Sequence, residues 1–349
     1  MAITLEQIAK RVGVSRGTVD RALHDRPGVK KEVALEVKRV ASELGYKPNL
    51  AGKLLSDRQY GKRLIGILVV TENNPFYEEV INGAKAAVEK FQEFGVSGEI
   101  RILTKYDVDE QLRVMDEFVA MGAGGIVMKP ILSPRVDAKI AGLKRRGIPV
   151  VTINSDSQSA DRLAYVGCRQ KKSGTVMAEL LSMLAGGRET QVAVLIGTER
   201  NLATTRREQG FLQFLRQESP NIHLVCRHAN EDDDAISYQK TAMILREHPN
   251  LDYLCILGAG ISGSIRAIRE QKEGKKPKLL VYDLIDDVKK ALREKIVMAT
   301  VTQEPFRQGY LGVQTMARYL AFAQCPESDV IYTELAVITG SCLDEREAD

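Results

Sequence analysis

Residues 4–23 read TLEQIAKRVGVSRGTVDRAL, two short amphipathic segments separated by a turn of about three to four residues. Thr4 and Gln7 have capping-box spacing: the Thr hydroxyl accepts from an early helix amide while the Gln side chain reaches back, so a helix begins there. Leu5, Ile8, Ala9 and Val12 keep a 3.6-residue period, and Gly13 supplies the positive φ that ends the helix. Ser15 caps a second helix over about Arg16 to Leu23, with Val19, Ala22 and Leu23 inward and Arg16, Thr18, Asp20 and Arg21 outward. The spacing is that of a helix-turn-helix. A third helix over about Lys31 to Leu44 repeats the pattern with Val33, Val37, Val40, Ala41 and Leu44, ending at Gly45. Taken alone, this pattern equally describes a small helical bundle with no nucleic-acid role.

Charge separates this end from the rest. The 349 residues carry a net charge of +4, yet residues 1–62 hold thirteen Lys/Arg against seven Asp/Glu, which is +6 and leaves −2 for the remainder. A basic module on a slightly acidic body fits an electrostatic footprint for nucleic acid, although such a bias also describes an ordinary solvated face. At 44% hydrophobic and 28% charged residues the composition is that of a globular protein of two to three domains. No apolar run approaches the ~20 residues of a membrane span, and the N-terminus lacks the apolar stretch of a secretory signal, so a cytoplasmic protein without a membrane partner is expected. The five cysteines are scattered with no CxxC pair and the four histidines form no ligand set, so neither a disulfide framework nor a metal is expected.

From Leu64 onward short apolar runs alternate with amphipathic stretches. LIGILVV, IRIL, GIVMK, VVTIN, VAVLI, LVCR, YLCIL, LLVY and ATVT are the strand candidates. The alternation implies parallel sheets covered on both faces, and this many strands fit two of them. In such α/β sheets ligands bind beyond the carboxyl ends of the strands, so the residues following each strand are the ones to inspect. GAGISG at 258–263 follows one strand, opens a helix and precedes a strand ending in Asp283, which satisfies the written dinucleotide fingerprint. A nicotinamide-sensing redox repressor would use such a site. The competing reading is a tight strand-to-helix turn lining a cleft, because the fingerprint usually opens a Rossmann domain and here at least six strands precede it. No nucleophile–base–acid set is present, so no enzyme and no cofactor are expected.

The string at 4–23, followed by GYKPN at 45–49 and AGKLL at 51–55, resembles the DNA-binding head and hinge of the LacI/GalR family along its whole length. The resemblance implies a homodimeric transcriptional repressor on a palindromic double-stranded operator, with a tetramer as the larger alternative. It implies that helix 15–23 lies in the major groove, Arg16 donating two bonds to guanine, with Thr18 and Arg21 on phosphate or base edges and Thr4, Ser15 and Gly17 on the same surface. Gly17 stands where members often carry a long polar base reader, and Asp20 where a Ser is usual. Residues 49–56 (NLAGKLLS) resemble the family's hinge helix, in which Leu55 would wedge into a minor-groove base step while Asn49 and Lys53 meet the groove or its phosphates.

Residues 64–340 resemble the type I periplasmic-binding-protein fold, especially ribose-binding-like proteins, through NNPFYEEVINGA, GIPVVTINSD, RREQGF, LLVYD and TVTQEPFRQGYLG in that order. Carried over by position, Asn74 bonds the ligand, Phe76 and Tyr77 face a sugar ring, and Asn154 ends a strand beside it. Arg207 and Asp283 form the opposed cation and carboxylate, and Gln303 is a polar hinge contact. Ser155 replaces the arginine of ribose binders, and Leu257-Gly258 replace a usual Asn-Asp pair. Lys129 adds a cation, which with Arg207 and Arg169 hints at an anionic effector such as a sugar phosphate or sugar acid, beside the neutral sugar. A cytoplasmic sugar-binding protein remains an alternative for the body alone.

The expected architecture is an all-α helix-turn-helix head (1–47), a hinge helix and linker (48–62), an α/β ligand-binding and dimerisation domain of two parallel-sheet lobes (63–343) and an acidic tail (344–349). The N-lobe is expected at about 63–157 and 304–327, the C-lobe at about 158–303 and 328–343. Closure of the lobes on a sugar-like effector would alter hinge separation and hence DNA affinity.

Overall fold

The computed structural model describes residues 3–23, 28–44, 63–71, 74–159, 161–272 and 274–343. Asn49, Lys53 and Leu55, with the rest of the expected hinge at 48–62 and the tail at 344–349, lie outside the described residues. The chain divides into two units, Met1–Tyr60 and Gly61–Asp349.

The first unit holds helices α1 (Leu5–Val12), α2 (Arg16–Leu23) and α3 (Lys31–Glu43). The capping box forms as its residues dictate: Thr4 N donates to Gln7 Oε1 at 2.8 Å and Gln7 N to Thr4 Oγ1 at 3.3 Å. Gly13 ends α1 at φ 76°. Ser15 Oγ accepts from Thr18 N at 3.1 Å, which starts α2. Ile8, Ala9, Val19, Ala22, Val37, Val40 and Ala41 are buried against one another, and the remaining apolar residues of the periodic pattern pack around them.

The second unit contains two six-stranded sheets of the same topology. In chain order the elements are β1 (Arg63–Val70), α4 (Phe76–Phe91), β2 (Val96–Leu103), α5 (Val108–Ala120), β3 (Gly125–Met128), α6 (Pro134–Arg145), β4 (Val150–Ile153) and β5 (Ala164–Gly167). They continue with α7 (Gln170–Ala185), β6 (Thr190–Ile196), α8 (Leu202–Glu218), β7 (Ile222–Ala229), α9 (Asp234–Glu247), β8 (Tyr253–Ile256), α10 (Ile261–Glu270), β9 (Lys278–Tyr282), α11 (Asp286–Arg293) and β10 (Val297–Thr302). Helix α12 (Pro305–Phe322) and strands β11 (Val330–Tyr332) and β12 (Ala336–Ile338) close the body. The orders are β11-β5-β4-β3-β1-β2 and β12-β10-β9-β8-β6-β7, parallel throughout except that β12 runs antiparallel to β10. Central strands such as Ile65–Val70 are apolar on both faces because helices cover both sides.

All nine apolar runs named from the sequence are strands, but the lobe limits differ from those expected. Ala164–Gly167 pairs with β4, and Val330–Tyr332 pairs with it in turn, so both belong to the N-lobe sheet rather than the C-lobe. Each is a three- or four-residue strand beside polar loops, too short to show a period. The chain therefore crosses between lobes after Gly167, after Thr302 and after Tyr332.

Helices α7 and α8 cross at backbone contact. A Cβ on Gly174 would stand 1.9 Å from the carbonyl oxygen of Arg207, and one on Gly210 would stand 1.9 Å from that of Lys171. The pair Gly83 and Gly309 does the same for α4 and α12. The glycines of INGA, REQG and FRQG are thus contact points between helices rather than turns. Since the obstacle is backbone, Gly174→Ala must part the helices, with an expected loss of about 1–3 kcal/mol of unfolding free energy in urea titrations.

Candidate functional site

Eight residues singled out from the sequence, Asn74, Phe76, Tyr77, Lys129, Asn154, Arg207, Asp283 and Gln303, line one small cavity between the two sheets. Thr71, Tyr106, Asn201, Ala203, Thr204, Asp232, Gly258 and Ala259 complete its wall. Nearly all follow the carboxyl end of a strand or open the helix after it, where a parallel sheet leaves backbone and side chains unpaired by the ladder. A larger, open groove lies elsewhere on α7, α8 and β11. Arg169 faces that groove, its guanidinium 4.3 Å from the Tyr332 ring, and so does not join Lys129 and Arg207. Ser155 is buried but is not part of the cavity wall.

Two strand-end residues share an unusual conformation. Asn154 after β4 has φ 63° and Asp283 after β9 has φ 62°, in the left-handed region that Asn and Asp tolerate best among side-chain-bearing residues. Their side chains are used differently. Asn154 Oδ1 accepts from Tyr77 Oη at 2.9 Å and its Nδ2 donates to Gln308 at 3.1 Å, so Asn154 positions the Tyr77 ring. Asp283 Oδ1 accepts from Gln303 Nε2 at 2.9 Å. Asn74 Oδ1 accepts from Phe76 N at 3.0 Å, leaving its amide N–H groups as donors. Phe76, 4% exposed, belongs to the core while it lines the cavity edge-on to Tyr77.

Arg207 is held on all sides. Its Nε donates to Gln170 Oε1 at 3.0 Å, Nη1 to the Leu257 carbonyl at 3.3 Å and Nη2 to Gln303 Oε1 at 2.8 Å, and the guanidinium lies 4.1 Å from the Tyr282 ring. Burial opposes its charge, but Tyr282, Cys168 and Asp283 around it hold its pKa above the ordinary arginine value. Burial pushes the Asp283 carboxyl up to about 6; Arg207 and the Gln303 bond pull it down and Asp232 pushes it further up.

Lys129 is buried, donating to the Val70 carbonyl at 3.0 Å and to Tyr106 Oη at 2.8 Å, with its ammonium 4.4 Å from the Tyr77 ring and 4.8 Å from the Tyr106 ring. Tyr106 ties the lobes together. Its hydroxyl lies 3.4 Å from Asp232 Oδ2 and accepts from Asn201 Nδ2 at 3.3 Å, while its carbonyl accepts from Arg200 Nη1 at 3.0 Å. A backbone bond from Leu132 N to the Arg200 carbonyl, 2.8 Å, adds to the same junction. The lobes are closed on the cavity.

Sequence reasoning missed Tyr106 and Asp232. Asp232 sits in the acid-rich run 230–234, which reads as a solvated loop, yet its place just beyond β7 was the available signal. That run also decides the GAGISG motif. Ala259 N donates to Asp232 Oδ1 at 2.7 Å and Gly263 N to Asp234 Oδ1 at 3.0 Å, so carboxylates already occupy two of the motif's amides, where a pyrophosphate would need free donors. The glycine-rich turn lines the cavity through Gly258 and Ala259.

In the head, Ser15, Arg16, Gly17 and Arg21 are exposed on α2 and Thr18 is half-buried. Thr4 and Ser15 spend their hydroxyls as caps, and Ser15 Oγ also bonds Thr18 Oγ1 at 2.9 Å. Arg21 Nε folds back to the Gly17 carbonyl at 3.1 Å. Arg16 extends outward, its side chain 69% exposed and 3.9 Å from Glu6. Arg16 is therefore the cation of this helix best placed to reach a groove.

Residues 65–324 match the model of the periplasmic binding protein domain family, and residues 4–49 that of bacterial regulatory proteins of the lacI family. The chain is 24% identical over 289 residues to a D-ribose/D-allose-binding protein of Pseudomonas aeruginosa, covering 80% of this chain and 89% of that protein. It is 25% identical over 230 residues to a probable HTH-type transcriptional repressor, ExuR, of Bacillus subtilis, covering 65% and 63%. Among solved structures, an ABC transporter solute-binding protein of Burkholderia graminis in complex with D-arabinose superposes with a TM-score of 0.75 at 22% identity, covering 81% of this chain and 97% of that one. With three quarters of its length in the first match and its helix-turn-helix in the second, the chain belongs to the periplasmic binding protein domain family and carries a lacI-family regulatory head.

Proposed function

We propose that the protein is a sugar-responsive repressor that binds palindromic DNA as a dimer and releases or tightens its grip when a neutral sugar or polyol fills the cavity. The observation that carries the sensing half is the convergence of two carboxylates and a forked guanidinium on one small closed cavity. Among the described residues of the cavity wall, Lys129 and Arg207 balance Asp232 and Asp283 in charge. Arg207 spends three donor groups on protein acceptors and Lys129 two, whereas Asp283 Oδ2 has no hydrogen bond among the described residues. The acceptor capacity left open calls for a ligand rich in hydroxyl donors, so a neutral polyol is favoured over the anionic effector that Lys129 first suggested. That relatives are a ribose/allose-binding protein and a transcriptional repressor supports both halves of this reading. The Asp232 and Asp234 carboxylates already bound to the Ala259 and Gly263 amides weigh against a nicotinamide sensor.

The ligand acts through its preference for one lobe arrangement over another. Fluorescence anisotropy of labelled palindromic duplexes, titrated with neutral sugars, tests the whole reading; DNA affinity unaffected by every sugar that binds would overturn it. In the same assay Arg16→Ala should weaken binding about tenfold or more and relax preference at one base pair, the size of one bidentate guanine contact.

Asp283 supplies a pH prediction with a definite sign. Its folded pKa of about 6 lies above the ordinary 3.8, so its neutral form adds stability below pH 3.8 that is lost as pH rises through 6. Ionised at pH 7.5, it is a cost to the free protein that hydroxyl donors of the ligand offset. Sugar affinity should therefore rise as pH increases through about 6 and level off above it. Asp283→Asn keeps the left-handed backbone and removes the charge. It should raise unfolding stability at pH 7.5 by up to about 3 kcal/mol while abolishing sugar binding, as read by thermal melts and calorimetry.

A further inference from the structure

The cavity wall after β8 consists of Gly258 and Ala259 and has no polar side chain of its own. A Cβ on Gly258 would stand 2.6 Å from Asp232 Oδ1 and 2.5 Å from Gly197 N, so the space beside this glycine is taken by a carboxylate delivered from the loop after β7. That loop is built for the delivery. Asp232 has φ 58°, its amide donates to Asn230 Oδ1 at 3.0 Å, and fully buried Asn230 donates in turn to the Ala259 carbonyl at 2.7 Å and to Ser237 Oγ at 3.2 Å. Oδ1 accepts from Ala259 N at 2.7 Å. One oxygen is thus fixed to the β8 exit, which sets the direction of the other.

Oδ2 is under-used. Its partner among the described residues is the Tyr106 hydroxyl, which accepts from Lys129 and Asn201 and donates its proton to Oδ2 at 3.4 Å, the limit of a hydrogen bond. Asp232 is only 8% exposed and lines the cavity, so a long contact there costs stability unless a better donor arrives. We infer that Asp232, standing in the space Gly258 leaves open, is the specificity-determining residue of the cavity: its Oδ2 accepts one hydroxyl of the sugar or polyol and so selects the epimer that presents it. The same oxygen faces Tyr106 from the opposite lobe, so the hydroxyl is read in the closed arrangement. A buried acceptor that loses its partner penalises the wrong epimer by tenfold or more, whereas an apolar wall would discriminate weakly. This inference rests on the reading of the cavity as a neutral-ligand site.

The test is calorimetry of the full-length chain against D-pentoses, D-hexoses and their epimers, and inositols, with Asp232→Asn, Gly258→Ala and Asp283→Asn alongside. The wild type should bind at least one member and prefer it over one epimer about tenfold or more. Asp232→Asn, whose side chain suits the same backbone, should melt near the wild type, lose about tenfold for the preferred ligand and rank the epimers within about threefold of each other. Gly258→Ala, whose Cβ meets both the Asp232 carboxylate and the Gly197 backbone, should shift the carboxylate without removing it and flatten the ranking in the same way. An unchanged ranking in Asp232→Asn overturns the inference; should that variant fail to fold, an unchanged ranking in Gly258→Ala does so. If ranking persists in both while Asp283→Asn abolishes binding, this inference fails and the neutral-sugar reading stands. No binding of any panel member to the wild type overturns both.

Discussion

A guanidinium buried on α8 joins the three segments in which the chain passes between lobes. Arg207 donates to Gln170 on the first crossing and to Gln303 on the second, and the Gln303 carbonyl accepts from Thr333 Oγ1 on the third at 3.0 Å. Gln303 also accepts from the Cys168 thiol at 3.3 Å and donates to Asp283, while its carbonyl takes a bond from Gln308 at 2.7 Å. A cation placed this deep is tolerated because its donors meet the acceptors of Gln170, Leu257 and Gln303. The hinge and the cavity are therefore one hydrogen-bond network, not two neighbouring features. A ligand that changes the state of Asp283 changes the partner of a residue that holds two crossings.

Opposite this hinge the lobes meet again through Tyr106, Arg200, Asn201 and Leu132, all protein-to-protein contacts. Closure is thus stabilised from within and does not wait on ligand bonds alone. A ligand acts on such a body only through a difference in affinity between this arrangement and any other. The helix crossings at Gly174 and Gly210 serve the same end: they seat α7 on α8 at backbone distance, so Gln170 at the start of α7 meets Arg207 without slack. Small side chains at these points place a charge.

How much of this was legible follows from what each residue has to do locally. The head reads directly because caps, turn glycine and a 3.6-residue period are short-range chemistry, all contained within Thr4–Leu23. The central strands read because burial on both faces makes them continuous apolar runs. Strands such as Ala164–Gly167 and Val330–Tyr332 did not read, because three or four residues carry no period and gain their identity from a partner far along the chain. All eight cavity residues named by position converge, since strand ends are fixed by topology. Asp232 and Tyr106 were hidden because their loops look like solvent-facing polar sequence. Lys129 misled in the opposite direction: its charge is visible in sequence, but its engagement with Val70 and Tyr106 is a tertiary fact.

The two lobes repeat one strand order, and the repeat makes Asn154 and Asp283 counterparts, each just beyond the third strand from the β2 or β7 edge's inner neighbour in its own sheet. Both accept the same left-handed backbone, so geometry alone does not distinguish them. Chemistry does. The amide of Asn154 is spent on Tyr77 and Gln308, within its own half of the cavity wall, and holds an aromatic surface still. The carboxyl of Asp283 is raised toward neutral pH by burial and keeps an oxygen in reserve, coupled through Gln303 to the hinge. The duplicated scaffold thus carries an amide spent within the fold at one strand end and a buried carboxyl tied to the hinge at the other, so the two halves of the cavity wall differ in chemistry where they agree in backbone.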